Sequence, residues 1–238
     1  MEKLLNQLVE KVKAAAGTNL KSVVLYGSAA SGEFQPKYSD LNVMCLLERL
    51  NAADLESMNP AGQWWASKGH PAPLVFTVEG LRAAADVFAI ELLDIKANRR
   101  MLFGDDVFAG LEVPMNLHRQ QVERELRTNL IRLRQNYLAF PLKSKRVLGL
   151  MTASVSTFII LFRHALIALG EQPPQAKRDV ADRLAQLLGF DARPFHTLLD
   201  VREKKLTEKQ VDAAATFRKY LESIQRAEEE FDRRLAGD

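Results

Sequence analysis

Residues 23–47 read VVLYGSAASGEFQPKYSDLNVMCLL. Two apolar runs of β-forming residues flank a Gly-Ser turn and a polar stretch. The pattern predicts one strand over Lys21–Tyr26, a tight turn, and a second strand over Leu41–Leu47. The second run is apolar almost without a break, which predicts a strand covered on both faces. At its start stand Asp40 and Asn42, two apart. Side chains alternate along a strand, so an acid and an amide at this spacing face the same way.

The same periodicity organises the rest of the chain. Leu4, Leu5, Leu8, Val9 and Val12 form one stripe of a helix over residues 2–15, ended by Gly17. Residues 52–57 and the Trp64-Trp65 region read as helical or irregular, with the tryptophans expected in packing between the domains rather than over a pocket. A strand is expected over Leu74–Val78, between prolines and Gly80, then a short helix over Glu79–Ala85. Val87–Lys96 reads as another strand, and the segment from Leu102 to Pro114 as a loop. Beyond Met115 the β signals fade. Helices are expected over His118–Phe140, Val147–Leu169, Asp179–Leu188, Arg193–Arg202 and Thr207–Leu235, with Thr207 as an N-cap. Gly170 and Gly189 close two of them.

The fold class that follows is α+β: a mixed-sheet domain over 1–114, then an all-α helical bundle over 115–238. Charge divides at the same place. Residues 1–114 carry 11 Lys+Arg against 14 Asp+Glu, and residues 115–238 carry 22 against 16.

Several function classes fall away on composition. The 47% hydrophobic and 26% charged content is that of a globular chain. The lone cysteine, Cys45, permits no internal disulfide and reads as a buried thiol rather than a nucleophile. The N-terminal helix mixes acids and lysines and is no signal peptide. Val147–Phe162 is a run of 16 uncharged residues, short of the roughly 20 that span a bilayer. It reads as a buried core helix that could also bury against a second copy of the chain. A cytoplasmic protein without membrane partners is expected. The four histidines have no zinc-ligand spacing, and no nucleophile elbow supports a Ser-His-Asp triad.

A strand that ends in Gly27-Ser28 and turns toward a helix aims backbone N–H groups at one point, and such a point binds phosphate. Gly27 permits close approach and Ser28 adds a hydroxyl. No Gly-Lys-Ser/Thr follows, so this is not a Walker P-loop. After eleven intervening residues come Asp40 and then Asn42. Oxygen ligands across from a phosphate turn are the layout for Mg²⁺ carried by a nucleoside triphosphate. Lys37 and Ser39 lie in the loop between, within reach of a phosphate.

The run from Gly27-Ser28 through Ser39-Asp40-Leu41-Asn42-Val43 resembles the signature of the polymerase-β-like nucleotidyltransferase superfamily: strand, Gly-Ser, about a dozen residues, then Asp-x-Asp or Asp-x-Glu. The nearest likeness is to the small bacterial, kanamycin-nucleotidyltransferase type with a helical second domain. The resemblance covers residues 20–106 by motif and the remainder by helical architecture alone. It implies a cleft between the two domains, transfer of a nucleoside monophosphate from NTP to a hydroxyl acceptor, and Asp40 and Asn42 as metal ligands. It also implies a third carboxylate on a neighbouring strand, serving as ligand or base. The candidates are Asp94 and Glu91 in VFAIELLDIK. Read as a strand, they face opposite ways, so only one can join Asp40, and the apolar flanks of Asp94 favour it.

Two departures from the pattern matter. Where active members carry a second acid, this chain has Asn42. Where small bacterial members often have arginine before the second glycine, it has Ser31. An amide carbonyl can bind Mg²⁺ but brings no charge. Losing one charged partner costs transition-state stabilisation on the order of a few kcal/mol, roughly a hundredfold in rate. The sequence therefore expects a nucleotide site with a degenerate metal centre, with a non-catalytic binding or regulatory module as the alternative. A further alternative is nucleic-acid binding by the basic segment 119–146. There Arg119, Arg124, Arg127, Arg132 and Arg134 outnumber Glu123 and Glu125, and Lys143, Lys145 and Arg146 follow. Few aromatics are interleaved, which makes it the lesser reading. The helical part also resembles bundles fused to toxin-like RNases, without their arginine-histidine motif, so a nuclease is not expected.

Overall fold

A computed structural model describes residues 1–36, 38–139 and 143–236, with only the backbone of 235 and 236. Lys37, and Phe140 at the expected end of a helix, lie outside the described residues. The chain forms two compact units, Met1–Met115 and Asn116–Asp238. The class is α+β, as the sequence predicts.

The first unit is built on four strands, β1 (Leu20–Tyr26), β2 (Asn42–Leu47), β3 (Leu74–Thr77) and β4 (Arg99–Gly104), in the order β3-β2-β1-β4. β1 pairs antiparallel with β2 and with β4, while β3 runs parallel to β2, so the sheet is mixed. Four helices complete the unit: α1 (Glu2–Ala16), α2 (Ala52–Ala66), α3 (Val78–Ala83) and α4 (Ala89–Ala97).

Alternation along the strands divides the core. Val23, Leu25, Val43, Cys45 and Leu47 face α1 and α2, where Leu5, Leu8, Val12, Met58 and Trp65 meet them. Val24, Met44 and Leu46 point the other way, onto Leu81, Ala85, Leu92 and Ile95 of the α3–α4 side. Both faces are covered, which is why β2 reads as an unbroken apolar run. Each fully buried leucine here contributes about 1.5–3 kcal/mol of burial energy. The Cys45 thiol is fully buried, and burial pushes it up to about 12, which removes it as a nucleophile at neutral pH.

Four expectations are corrected. Val87–Lys96 is not a strand: Ala89–Ala97 is the helix α4. Its buried Ala89, Leu92 and Ile95 recur every three residues, with Ile90 beside Ala89, and that helical period overrides the aromatic and β-branched composition. The strand lies instead at Arg99–Gly104, and its second half takes up the start of the expected loop at Leu102. Residues 52–66 form one continuous helix, begun by a capping box between Asn51 and Asp54. Trp65 is completely buried in the core of its own unit. Thr207 caps a short 3₁₀ turn, Glu208–Gln210, rather than the last helix.

The second unit holds α5 (His118–Ala139), α6 (Ser144–Ala168), α7 (Lys177–Leu188), α8 (Arg193–Arg202) and α9 (Ala213–Ala236). The Asp212 carboxylate caps α9 by accepting from the Ala214 and Ala215 N–H groups, each at 3.0 Å. α6 lies at the centre and touches each of the other four. Among the described residues it is the one helix long and apolar enough to cross a membrane by composition, and 56% of that stretch is buried. Phe158, Phe162, Phe190, Phe195 and Tyr220 interlock around it at ring separations of 5.0–6.1 Å.

Candidate functional site

β1 ends at Tyr26, and the chain turns at once into a single 3₁₀ turn, Gly27–Ala29. Gly27 has φ +75°, a conformation that costs an ordinary residue about 1–2 kcal/mol. In such a turn the first three N–H groups have no partner within it. The Gly27 N–H donates to the Asn98 carbonyl at the end of α4, at 3.1 Å. The amides of Ser28 and Ala29 are the two that the turn itself leaves over. Ser31 and Glu33 then close the loop by donating N–H bonds to Gly27 O and Ser28 O, at 3.1 and 2.9 Å.

The loop returns through Gln35–Ser39. The Ser39 hydroxyl accepts the Gln35 N–H at 3.2 Å, and the Ser39 N–H donates to Gln35 O at 2.8 Å. Ser39 thus serves first to shape the loop. Asp40 follows outside β2, which begins at Asn42. The alternation nevertheless reaches back past the strand end. Leu41 is 2% exposed in the α1–α2 core, while Asp40 is exposed and Asn42 half-buried.

Asn42 stands opposite Tyr26 in the β1–β2 pair, on the α3–α4 side of the sheet. Its amide nitrogen lies 3.5 Å from where a Cβ on Gly27 would stand. The turn and the amide are therefore side by side, as the sequence spacing predicts.

Asp94 sits half-buried on α4 and Glu91 exposed on it. On a helix, residues three apart are neighbours. The argument that they face opposite ways is overturned, because it required a strand. α4 packs on the sheet face to which Asn42 belongs. The Asn98 N–H donates to Asp94 O at 2.9 Å, so Asp94 is one helical turn from the residue that holds Gly27.

No strand of the sheet carries an acid: the four read LKSVVLY, NVMCLL, LVFT and RRMLFG. Among the described residues no group of three or more His, Cys, Asp or Glu side chains is gathered as a metal site would need. The candidate acids thus lie off the strands, Asp40 in the loop before β2 and Asp94 on α4.

Four residues were not singled out from sequence. His70 accepts the Leu41 N–H on Nδ1 at 3.3 Å. Arg99 follows Asn98 and pairs with Tyr26 across the sheet. Its guanidinium is held by Asp106 at 2.6 Å, which lowers the Asp106 carboxyl through their hydrogen bond. In the helical unit His118 Nε2 and His164 Nδ1 are 3.0 Å apart, both rings buried. Contacts between residues this far apart in sequence leave no local signal.

The basic face of α5 is partly committed within its unit. Arg127 pairs with Glu123, Glu228 and Asp232 at 3.2, 2.8 and 2.8 Å. A polar hollow at the far end of β1, lined by Ala16, Asn19, Arg49 and Asp54, is remote from the Gly-Ser turn. Its groups are bonded to one another.

No family model matches the chain, and no curated protein matches it. Among solved structures it is similar to a spectinomycin adenyltransferase from Enterococcus faecialis, determined with ATP and spectinomycin. The identity is 12%, the TM-score 0.59, and the match covers 95% of this chain and 99% of that one. At this identity the likeness is one of architecture: the chain has a nucleotidyltransferase-like fold.

Proposed function

We propose that the chain binds a nucleoside triphosphate at the Gly27–Ser28 turn, with one Mg²⁺ ion held beside Asp40, and that it is built for binding rather than efficient transfer. The observation that carries this reading is the pairing of a positive-φ glycine turn with Asn42, where a second carboxylate would be needed, on a sheet without acids.

The donor set bears on the metal. Mg²⁺ is commonly held by one or two carboxylates together with substrate phosphates. Exposed Asp40 and the Asn42 carbonyl fit one ion brought in on a triphosphate. They do not fit two ions, which need shared carboxylates. Bound there, the ion would neutralise phosphate charge. The Ser28 and Ala29 amides and the Ser28 hydroxyl would hold the phosphates, and Asp40 would fix the ion's place.

The second reading is slow transfer of a nucleoside monophosphate to a hydroxyl acceptor. It is favoured by the fold and by Asp94 one helical turn from the Gly27 contact, where it could take the acceptor's proton.

Calorimetric titration with Mg²⁺ and a non-hydrolysable ATP analogue tests the proposal. Saturable binding, weakened about tenfold or more in Asp40→Ala, is expected, because a charge-assisted contact is worth roughly 1.5–3 kcal/mol. Equal binding by both proteins overturns it. Labelling of an acceptor by radioactive NTP with the wild-type protein selects the second reading.

A further inference from the structure

We propose that His70 is a positioning residue for the Asp40 site: its Nδ1 holds the Leu41 amide and so fixes where the neighbouring carboxylate stands. The inference rests on the reading of Asp40 as part of a nucleotide site.

His70 comes to this place by local sequence. α2 ends at Ala66, and Lys68 and Gly69 turn the chain by donating to Trp65 O and Ala66 O at 3.0 and 2.9 Å. Pro71 and Pro73 then keep the chain extended into β3. His70 is thereby set between the last turn of α2 and the start of β2. Its ring packs on the fully buried Trp65, with centroids 4.8 Å apart. The imidazole is thus held against the core, and its Nδ1 accepts from Leu41 at 3.3 Å.

The backbone N–H can only donate, so Nδ1 must be unprotonated, and Nε2 carries the proton of the neutral ring. Leu41 is pinned twice, by its buried side chain and by this bond. Asp40 is exposed and stands just before it. A metal ligand must be held within a fraction of an ångström and a few tens of degrees, and rigid neighbours do that. Without His70, Leu41 keeps its buried side chain but loses this bond, and the neighbouring carboxylate is freer to swing.

Two substitutions separate packing from hydrogen bonding. His70→Phe keeps a ring on Trp65 and removes the acceptor. His70→Asn loses the ring and keeps an oxygen close to the Nδ1 position. The readouts are affinity for Mg²⁺ with an ATP analogue, and hydrogen exchange of the Leu41 amide. His70→Phe is expected to bind about tenfold more weakly and His70→Asn within about twofold of wild type, the size of one lost hydrogen bond. The Leu41 amide should exchange faster in His70→Phe and stay protected in His70→Asn. Unchanged exchange and affinity in His70→Phe, or equal losses in both variants, overturn the proposal. Absence of binding by the wild-type protein overturns the nucleotide reading instead, while the exchange measurement still decides whether His70 holds the segment.

Discussion

The amide nitrogen of Asn42 lies 3.5 Å from the point where a side chain on Gly27 would begin, and Gly27 has φ +75°. A turn made for close approach is thus bordered by a neutral side chain instead of an acid. A Cβ at position 27 would touch Asn42 at ordinary contact distance, so the obstacle is the backbone conformation. Gly27→Ala is expected to cost about 1–2 kcal/mol from the left-handed backbone alone. Urea unfolding would measure it, and nucleotide affinity should fall in the same variant because the phosphates are held off the backbone. An unchanged midpoint would mean that the turn relaxes freely.

Asn42→Asp places a second carboxylate beside Asp40. Without metal the two charges repel, so stability should drop slightly; with Mg²⁺ it should recover, because the ion binds the folded state. Affinity for the metal-nucleotide should rise about tenfold, at about 1.4 kcal/mol per decade. Transfer of labelled nucleotide should rise above the wild-type level. Thermal melts with and without Mg²⁺ check the first expectation and label transfer the last. No response to Mg²⁺ in the variant would place the ion elsewhere.

His118 and His164 are 1% exposed each and hydrogen-bonded to one another. Burial lowers both, His164 to about 3 with help from His118 and Arg163. Both are therefore neutral in the folded protein at neutral pH. As pH falls below the ordinary histidine value of about 6.5, the unfolded chain takes up protons that the folded chain refuses. Stability is fully present above that value and is lost as pH falls toward the folded values, by up to about 1.4 kcal/mol per pH unit for each ring. Urea midpoints near neutral pH and near pH 5 would show the fall, and the His118→Gln, His164→Gln double variant should flatten it. A wild-type midpoint that does not move between the two would contradict the burial of the pair as neutral rings.

Gly104 closes β4 against β1. A Cβ there would stand 1.8 Å from the Lys21 carbonyl oxygen, in a residue with φ +75°. Backbone cannot yield as a side-chain tip can. Gly104→Ala is expected to cost roughly 3 kcal/mol or more, well above the usual surface substitution. Thermal unfolding measures it, and a shift no larger than that of Gly62→Ala would count against the close β1–β4 approach.

The parts of this protein that could be read from sequence are those whose period is local. The stripe of α1, the apolar run of β2 and the long helices after Met115 each announce themselves. Val87–Ile95 misled because its valine, phenylalanine and isoleucines suggest a strand, while its buried positions follow a helix. β4 was hidden by the two arginines that open it. At the site, Gly27 and Asn42 were legible because the strand–turn–strand spacing brings them together. Asp94 was placed by a strand argument that the helix removes. His70 and Asn98 could not be found at all, since one acts through a ring nitrogen on a backbone amide and the other through its own carbonyl.

A crystal structure of the protein with Mg²⁺ and a non-hydrolysable ATP analogue tests the central claim most directly. The account predicts the triphosphate against the Ser28 and Ala29 amides, and one ion between the phosphates and Asp40. A triphosphate bound away from the Gly27–Ser28 turn, or two ions bridged by carboxylates, would contradict it.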